Sequence, residues 1–288
     1  LHISMLAAGI GDGDEVIVPS FSFAATANSV ALAGATPVFV DIDIRTFNID
    51  VSAIEAAITP RTKGIQPVHL YGLPAEMESI ISIAKKYNLL IFEDAAQAHL
   101  ARIAGDTVGQ FGDFATFSFY PTKNMTSGEG GMIVCARNEH TRLCKLLRNQ
   151  GMERRYENEV IGLNNRMTDI HAAIGRIQLE KLEKLTKKRQ ENANFYNENL
   201  IGVIKPFTPN NYEHVYHQYT IRIEGLSRDD FANELKKRGI SSGVYYPIPI
   251  HKLPSFKKKL DLVNTEIACK QVLSIPVHPK LKKRDLER

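Results

Sequence analysis

Two rhythms of hydrophobic and polar positions alternate along the first half of the chain. Short runs rich in β-branched and aromatic residues read as strands: Glu15-Val16-Ile17-Val18-Pro19, Pro37-Val38-Phe39-Val40-Asp41, Gly64-Ile65-Gln66-Pro67-Val68-His69 and Leu89-Leu90-Ile91-Phe92-Glu93-Asp94. Helical patterns separate them, over 1–8, 24–30, near 51–58 and from about 77 to 87. Strand and helix in alternation at this spacing predict right-handed crossovers and a mainly parallel sheet with helices on both faces. The unbroken apolar run 89–92 suits a strand buried on both sides.

The pattern changes after residue 110. Runs 115–119 and 131–135 read as strands around a glycine-rich loop, and a helical pattern then continues from Thr168 to about Leu200, long enough to bridge two domains. Its charged side, with Glu180, Lys181, Glu183, Lys184, Lys187 and Lys188, is a solvated face. Strands at 218–223 and 242–246 and a helix over 228–238 follow. The expected fold is therefore α/β: a three-layer α/β/α large domain with a mainly parallel sheet over 1–175, then the long linking helix and a smaller carboxyl-terminal α+β domain over 176–288. The chain opens at Leu1 already in helical pattern, so a preceding segment is expected.

Composition narrows the function. The 288 residues, 43% hydrophobic, suffice for one large domain or a large and a small one. No apolar stretch is long and uncharged enough to cross a bilayer, and no secretory signal opens the chain. Cys135, Cys144 and Cys269 are too widely spaced to suggest a disulfide framework or a zinc site, so a reduced, cytoplasmic setting is expected. The net charge of +4 sits largely in runs such as 187–189, 257–259 and 282–284. These read as solvated faces, and without interleaved aromatics they give nucleic-acid binding no support. His214 and His217 lack a third ligand at suitable spacing, so no metal is expected.

Two places carry candidate chemistry. In an open α/β sheet, ligands bind beyond the carboxyl ends of the strands. Glu93-Asp94 puts a carboxylate there, although a lone acid at a strand end also serves as a helix cap or turn former. The second is Ser118-Phe119-Tyr120-Pro121-Thr122-Lys123-Asn124, followed by Ser127-Gly128-Glu129-Gly130-Gly131. An amine held in an apolar pocket loses basicity and becomes nucleophilic toward carbonyls; a surface-loop lysine is the bland alternative. The glycine run Gly9-Ile10-Gly11-Asp12-Gly13 lies between helix and strand, the reverse of the dinucleotide fingerprint order, and 128–131 lacks the Gly-Lys-Ser/Thr ending of a P-loop.

Taken together the segments resemble the DegT/DnrJ/EryC1/StrS type of sugar-nucleotide aminotransferases, within the fold-type-I, aspartate-aminotransferase-like pyridoxal-phosphate enzymes. The resemblance runs through 11–23, Val68-His69-Leu70-Tyr71-Gly72, Glu93-Asp94-Ala95-Ala96-Gln97-Ala98-His99, 118–124, Gly162-Leu163-Asn164-Asn165-Arg166-Met167 and Tyr246-Pro247-Ile248-Pro249-Ile250-His251. It implies pyridoxal 5′-phosphate as cofactor, bound through Lys123, which also shuttles the proton. Asp94 would pair with the pyridine nitrogen, Gln97 would bond the ring hydroxyl oxygen, Phe23 would stack on the ring and Ser118 would donate to the phosphate. Asn164 would reach the cofactor of a neighbouring subunit, so a homodimer with shared active sites is implied. His251, His69 and Tyr71 are expected near a nucleotide-sugar substrate, with L-glutamate as amino donor. A sugar dehydratase on the same scaffold is the nearest rival, but relatives with that chemistry carry histidine in place of the lysine; a non-catalytic regulatory homologue is another. The sequence departs from the family in Leu100, where glycine is frequent, and in Leu163, where tyrosine is frequent; the family's phosphate-binding Gly-Thr segment would lie just before Leu1.

Overall fold

The computed structural model describes residues 1–288. Six strands form the main sheet: β1 (Glu15–Pro19), β2 (Thr36–Val40), β3 (Thr62–Ile65), β4 (Leu90–Asp94), β5 (Phe114–Ser118) and β6 (Gly131–Cys135). Their spatial order is β2-β1-β3-β4-β5-β6. All neighbours are parallel except β5 and β6, which run antiparallel from Phe114↔Cys135 to Ser118↔Gly131.

Alternation along the strands feeds two cores, because successive side chains of a strand face opposite ways. On one face Val16, Val18, Phe39, Phe92 and Phe114 pack with residues of α1 (His2–Ala7), α2 (Ala25–Leu32) and α4 (Asn138–Arg148). On the other, Ile17, Val40, Ile65 and Ile91 pack with Ile54 and with Met77, Ile80 and Ala84 of α3 (Met77–Tyr87). The three expected layers are thus present. Helix α3 stops at Asn88, whose left-handed φ of 53° supplies the usual carboxyl-terminal cap. The outer strand β6 leaves Met132 and Val134 exposed.

The long helix α5 (Asp169–Asn199) begins where Thr168 accepts a hydrogen bond from the His171 amide. Beyond it, β7 (Tyr219–Arg222) pairs antiparallel with β8 (Val272–Ile275), and Tyr219, Ile221 and Leu273 pack on Ala193 and Tyr196 of α5. Helix α6 (Arg228–Lys237) follows β7, and α7 (Val263–Gln271) is anchored back onto the main sheet. There Asp41 accepts from the Asn264 and Thr265 amides at 2.9 and 2.8 Å. The strand expected over 242–246 does not form. Only Gly243 bridges to Ser274, and Tyr246 takes a left-handed φ of 61°, which breaks an extended run.

Candidate active site

The carboxyl ends of β1, β3, β4 and β5 converge on one edge of the sheet, where an open parallel sheet offers its ligand site. Asp94 ends β4 and is buried. Its Oδ2 accepts from Thr26 Oγ1 at 3.1 Å, Thr26 in turn lies 3.0 Å from Ser22 Oγ, and its Oδ1 accepts from the Ala96 amide. The Thr26 hydroxyl in the first turn of α2, backed by the Ser22 hydroxyl, therefore fixes one carboxylate oxygen. Neither was visible in the sequence as a partner of Asp94, since 68 positions separate Thr26 from it.

Gln97 is buried and pinned at both ends. Its Oε1 accepts from the Tyr71 amide at 2.7 Å and its Nε2 donates to the Tyr246 hydroxyl at 2.7 Å. A primary amide carries two N–H donors, so one remains for a ligand. Tyr71, Leu100 and Tyr246 all hold left-handed φ values of 57°, 68° and 61°. Non-glycine residues are strained there, and such strain collects where a fold over-determines a site. Leu100 thus occupies a backbone position that glycine would fill without strain.

Lys123 lies half-buried in the loop after β5. Burial pulls its amine below the usual lysine range, while the Asp94 carboxylate pulls the other way. Two histidines flank it. His99 is buried against Phe117 and Phe119, with neither ring nitrogen hydrogen-bonded, and burial together with the Lys123 charge brings it down to about 4. His217 is pushed well below its usual value by burial, then by Lys123, Arg189 and His99. Its Nδ1 lies 3.2 Å from Oδ1 of Asn124, whose amide group donates to the Val215 carbonyl, so His217 is the donor. Both rings are neutral at neutral pH, which leaves Asp94 as the carboxylate facing the lysine. Sequence reasoning missed Asn124 and His217 as a pair because they lie 93 positions apart.

The remaining expected residues separate into two groups. Phe23 is 64% exposed in the turn after β1, so its ring is free and not part of the core. Ser118 is half-buried at the end of β5 and accepts from the Tyr120 amide at 3.3 Å. Asn164 is exposed and lines a separate cleft of about 840 Å³ with Met132, Arg148 and Arg166, away from Lys123. Three more of the expected residues are buried. His69 is fully buried, with Nδ1 accepting from the Ala75 amide at 2.9 Å and Nε2 facing Glu93 Oε2 at 3.0 Å, so no ring nitrogen is left for a substrate. Tyr71 has its ring buried among Phe21, Phe47 and Tyr246, and reaches the site only through its amide. His251 is fully buried with Nδ1 2.7 Å from Ser20 Oγ, and its Nε2 has no partner.

Gly72 brings the carboxyl-terminal part against this floor. At its φ of 98° a side chain would meet Val215 and the backbone of His217 and Gln97 at 2.8 to 3.1 Å. The profile of the DegT/DnrJ/EryC1/StrS aminotransferase family matches residues 1–288. The chain belongs to this family.

Relatives agree with that membership. The chain is 44% identical over 293 residues to a UDP-N-acetyl-3-dehydro-alpha-D-glucosamine 3-aminotransferase of Acidithiobacillus ferrooxidans, covering all of this chain and 79% of that one. It is 45% identical to a protein of Geobacillus stearothermophilus named pleiotropic regulatory protein, covering 98% and 78%. Among solved structures, DesV of S. venezuelae in complex with a ketimine intermediate superposes with a TM-score of 0.96 at 38% identity, over 100% of this chain and 79% of that one. The fold is accordingly that of the fold-type-I pyridoxal-phosphate aminotransferases.

Proposed function

We propose that the chain moves an amino group from an amino acid, L-glutamate, to the keto carbon of a nucleotide-linked sugar, with pyridoxal phosphate bound through Lys123. The observation that carries the reading is the pairing of a half-buried amine with lowered basicity on the loop after β5 and a fixed carboxylate, Asp94, at the end of β4. The residues fit the cofactor. Asp94 offers a carboxylate for the pyridine nitrogen, Gln97 keeps one free N–H for the ring hydroxyl oxygen, Phe23 presents a free aromatic face, and Ser118 stands at a strand end for the phosphate. The bound cofactor supplies an electron sink for the carbon that loses its proton.

What this chain contributes follows from its own groups. Asp94, held by Thr26, would pair with the ring nitrogen of the bound cofactor. The Lys123 amine, less basic than a solvated lysine, takes up and returns the proton at the reacting carbon. Neutral His99 and His217 beside it add no charge that competes for Asp94.

The same proposal includes a homodimer in the cytoplasm, with Asn164 serving the partner's site. Its support is the exposed apolar row Ile170, Ile174 and Ile177 at the start of α5, together with exposed Met132 and Val134 on β6. It also divides the chain near residue 175 into a large cofactor-binding part and a smaller part carried by α5. No helix is long and apolar enough to cross a membrane. A second reading, a regulatory protein on this scaffold, is favoured by the name of the Geobacillus relative. Adding L-glutamate to the protein with pyridoxal phosphate separates the two. Conversion of the cofactor to its amine form, with release of 2-oxoglutarate, is the expected result; no conversion would favour the regulatory reading.

A further inference from the structure

We infer that the cleft between α5 and the β7–β8 sheet is an anion site that holds a carboxylate of the amino-acid donor, with Arg189 as its cationic anchor. The inference rests on the aminotransferase reading for the identity of the ligand, though not for the presence of an anion.

Arg189 is fixed in place rather than loose. Its Nη1 donates to the carbonyls of Tyr216 and His217 at 3.2 and 3.3 Å, which sets the plane of the guanidinium. Its Nε is buried without any partner, and burial lowers its pKa to about 10, still a cation at neutral pH. A guanidinium taken largely out of water is costly unless a counter-charge meets it. No carboxylate lines this cleft: its walls include Arg189, His217, Gln218, Ser242, Tyr245 and His278. Lys123 and Arg189 both act on His217, so the region between them is positive, with Asp94 opposing it at Lys123. An arrangement of this kind fits an anion that arrives with the substrate.

Position and size select which anion. The inner wall joins the candidate active site twice. His217 bonds Asn124, the neighbour of Lys123, and Tyr245 precedes Tyr246, whose hydroxyl holds Gln97. The cleft measures about 290 Å³. That lies just below the usual range of small-molecule sites, roughly 300–1,000 Å³. An amino acid fits such a volume.

The test is calorimetric titration of glutarate, a dicarboxylate without a reactive amine, into the pyridoxal-phosphate-loaded protein, with UDP as a second probe. Wild type should bind glutarate, and glutarate should compete with L-glutamate. Arg189→Gln keeps donors for the two carbonyls and removes the charge; it should weaken glutarate by roughly ten- to a hundred-fold, the loss of one charged hydrogen bond. Ser242→Asp, at the exposed rim, places a like charge in the cleft without touching the Arg189 bonds and should weaken glutarate as well. Unchanged glutarate affinity in folded Arg189→Gln, or in Ser242→Asp where the first variant does not fold, overturns the proposal. Weakened UDP with unchanged glutarate overturns it too, and gives the site to the nucleotide phosphates. Glutarate binding involves no turnover, so Arg189-dependent binding without transamination would refute the aminotransferase reading while leaving the anion site standing.

Discussion

Glu93→Gln tests how the strand end beneath the site is held. Glu93 is fully buried beside Asp94 and accepts four hydrogen bonds. Oε1 takes the Phe111 and Gly112 amides at 2.8 and 2.7 Å, and Oε2 takes the Gly109 amide at 2.8 Å and His69 Nε2 at 3.0 Å. His69 is fixed as a donor at Nε2 because its Nδ1 accepts from Ala75. Glutamine can keep the two bonds at its one oxygen. Its amide nitrogen then faces two donors, Gly109 N–H and His69 Nε2–H, and neither can bond to it. Each buried donor left unpaired costs about 1–3 kcal/mol, so the variant should lose about 2–6 kcal/mol. That is a large fraction of a total stability of about 5–15 kcal/mol. Urea unfolding followed by circular dichroism reads the difference. The pH dependence adds a sign: burial raises the Glu93 pKa, but the bonds from His69, Gly109 and Gly112 outweigh it and the net shift is downward. Its contribution is therefore present above the ordinary carboxylate range and lost as the pH falls through the lowered folded value. A Glu93→Gln protein within about 0.5 kcal/mol of wild type, the scatter of an ordinary surface substitution, would refute this reasoning.

Three further outcomes follow from the same geometry. Thr26→Val removes the hydroxyl on Asp94 Oδ2 and should cost about 1.5–3 kcal/mol in urea unfolding, as a bond to a charged group does; no loss would mean Ser22 replaces it fully. Tyr246→Phe removes the 2.7 Å acceptor of Gln97 and should cost about 0.5–1.5 kcal/mol, with weaker pyridoxal-phosphate binding in a fluorescence titration; unchanged binding would separate Tyr246 from the site. His214 is lowered to about 3, His99 to about 4 and His217 well below its ordinary value, all chiefly by burial. Below about pH 6.5 the unfolded chain binds protons that the folded chain refuses. Stability should be full above that pH and fall as the pH drops, by up to about 1.4 kcal/mol per unit for each histidine. His214→Asn should flatten that slope, and an unchanged slope would show that His214 does not titrate this way.

The layering of the fold was legible because β-branched runs and helical patterns alternate cleanly through residue 94, and the strand ends then name the site. That edge offered Asp94 and the loop of Lys123 as candidates, and the family resemblance added Gln97 and the roles of all three. What the sequence hides is the direction each side chain takes. His69 and His251 looked like site histidines, and the sequence does not show that each is fully buried with a glutamate or a serine as its partner. Thr26, Asn124, His217 and Tyr246 act through contacts 68 to 149 positions apart. The run 242–246 alternates like a strand, but Gly243 keeps a single bridge and Tyr246 turns left-handed to reach Gln97.

The central claim is that Lys123 carries the cofactor. Borohydride reduction of the pyridoxal-phosphate-loaded protein, followed by digestion and mass spectrometry, tests it most directly. The account predicts a stable phosphopyridoxyl mass on the peptide containing Lys123, with no label in Lys123→Ala. A label on another lysine that survives in Lys123→Ala, or none in the wild type, would contradict it.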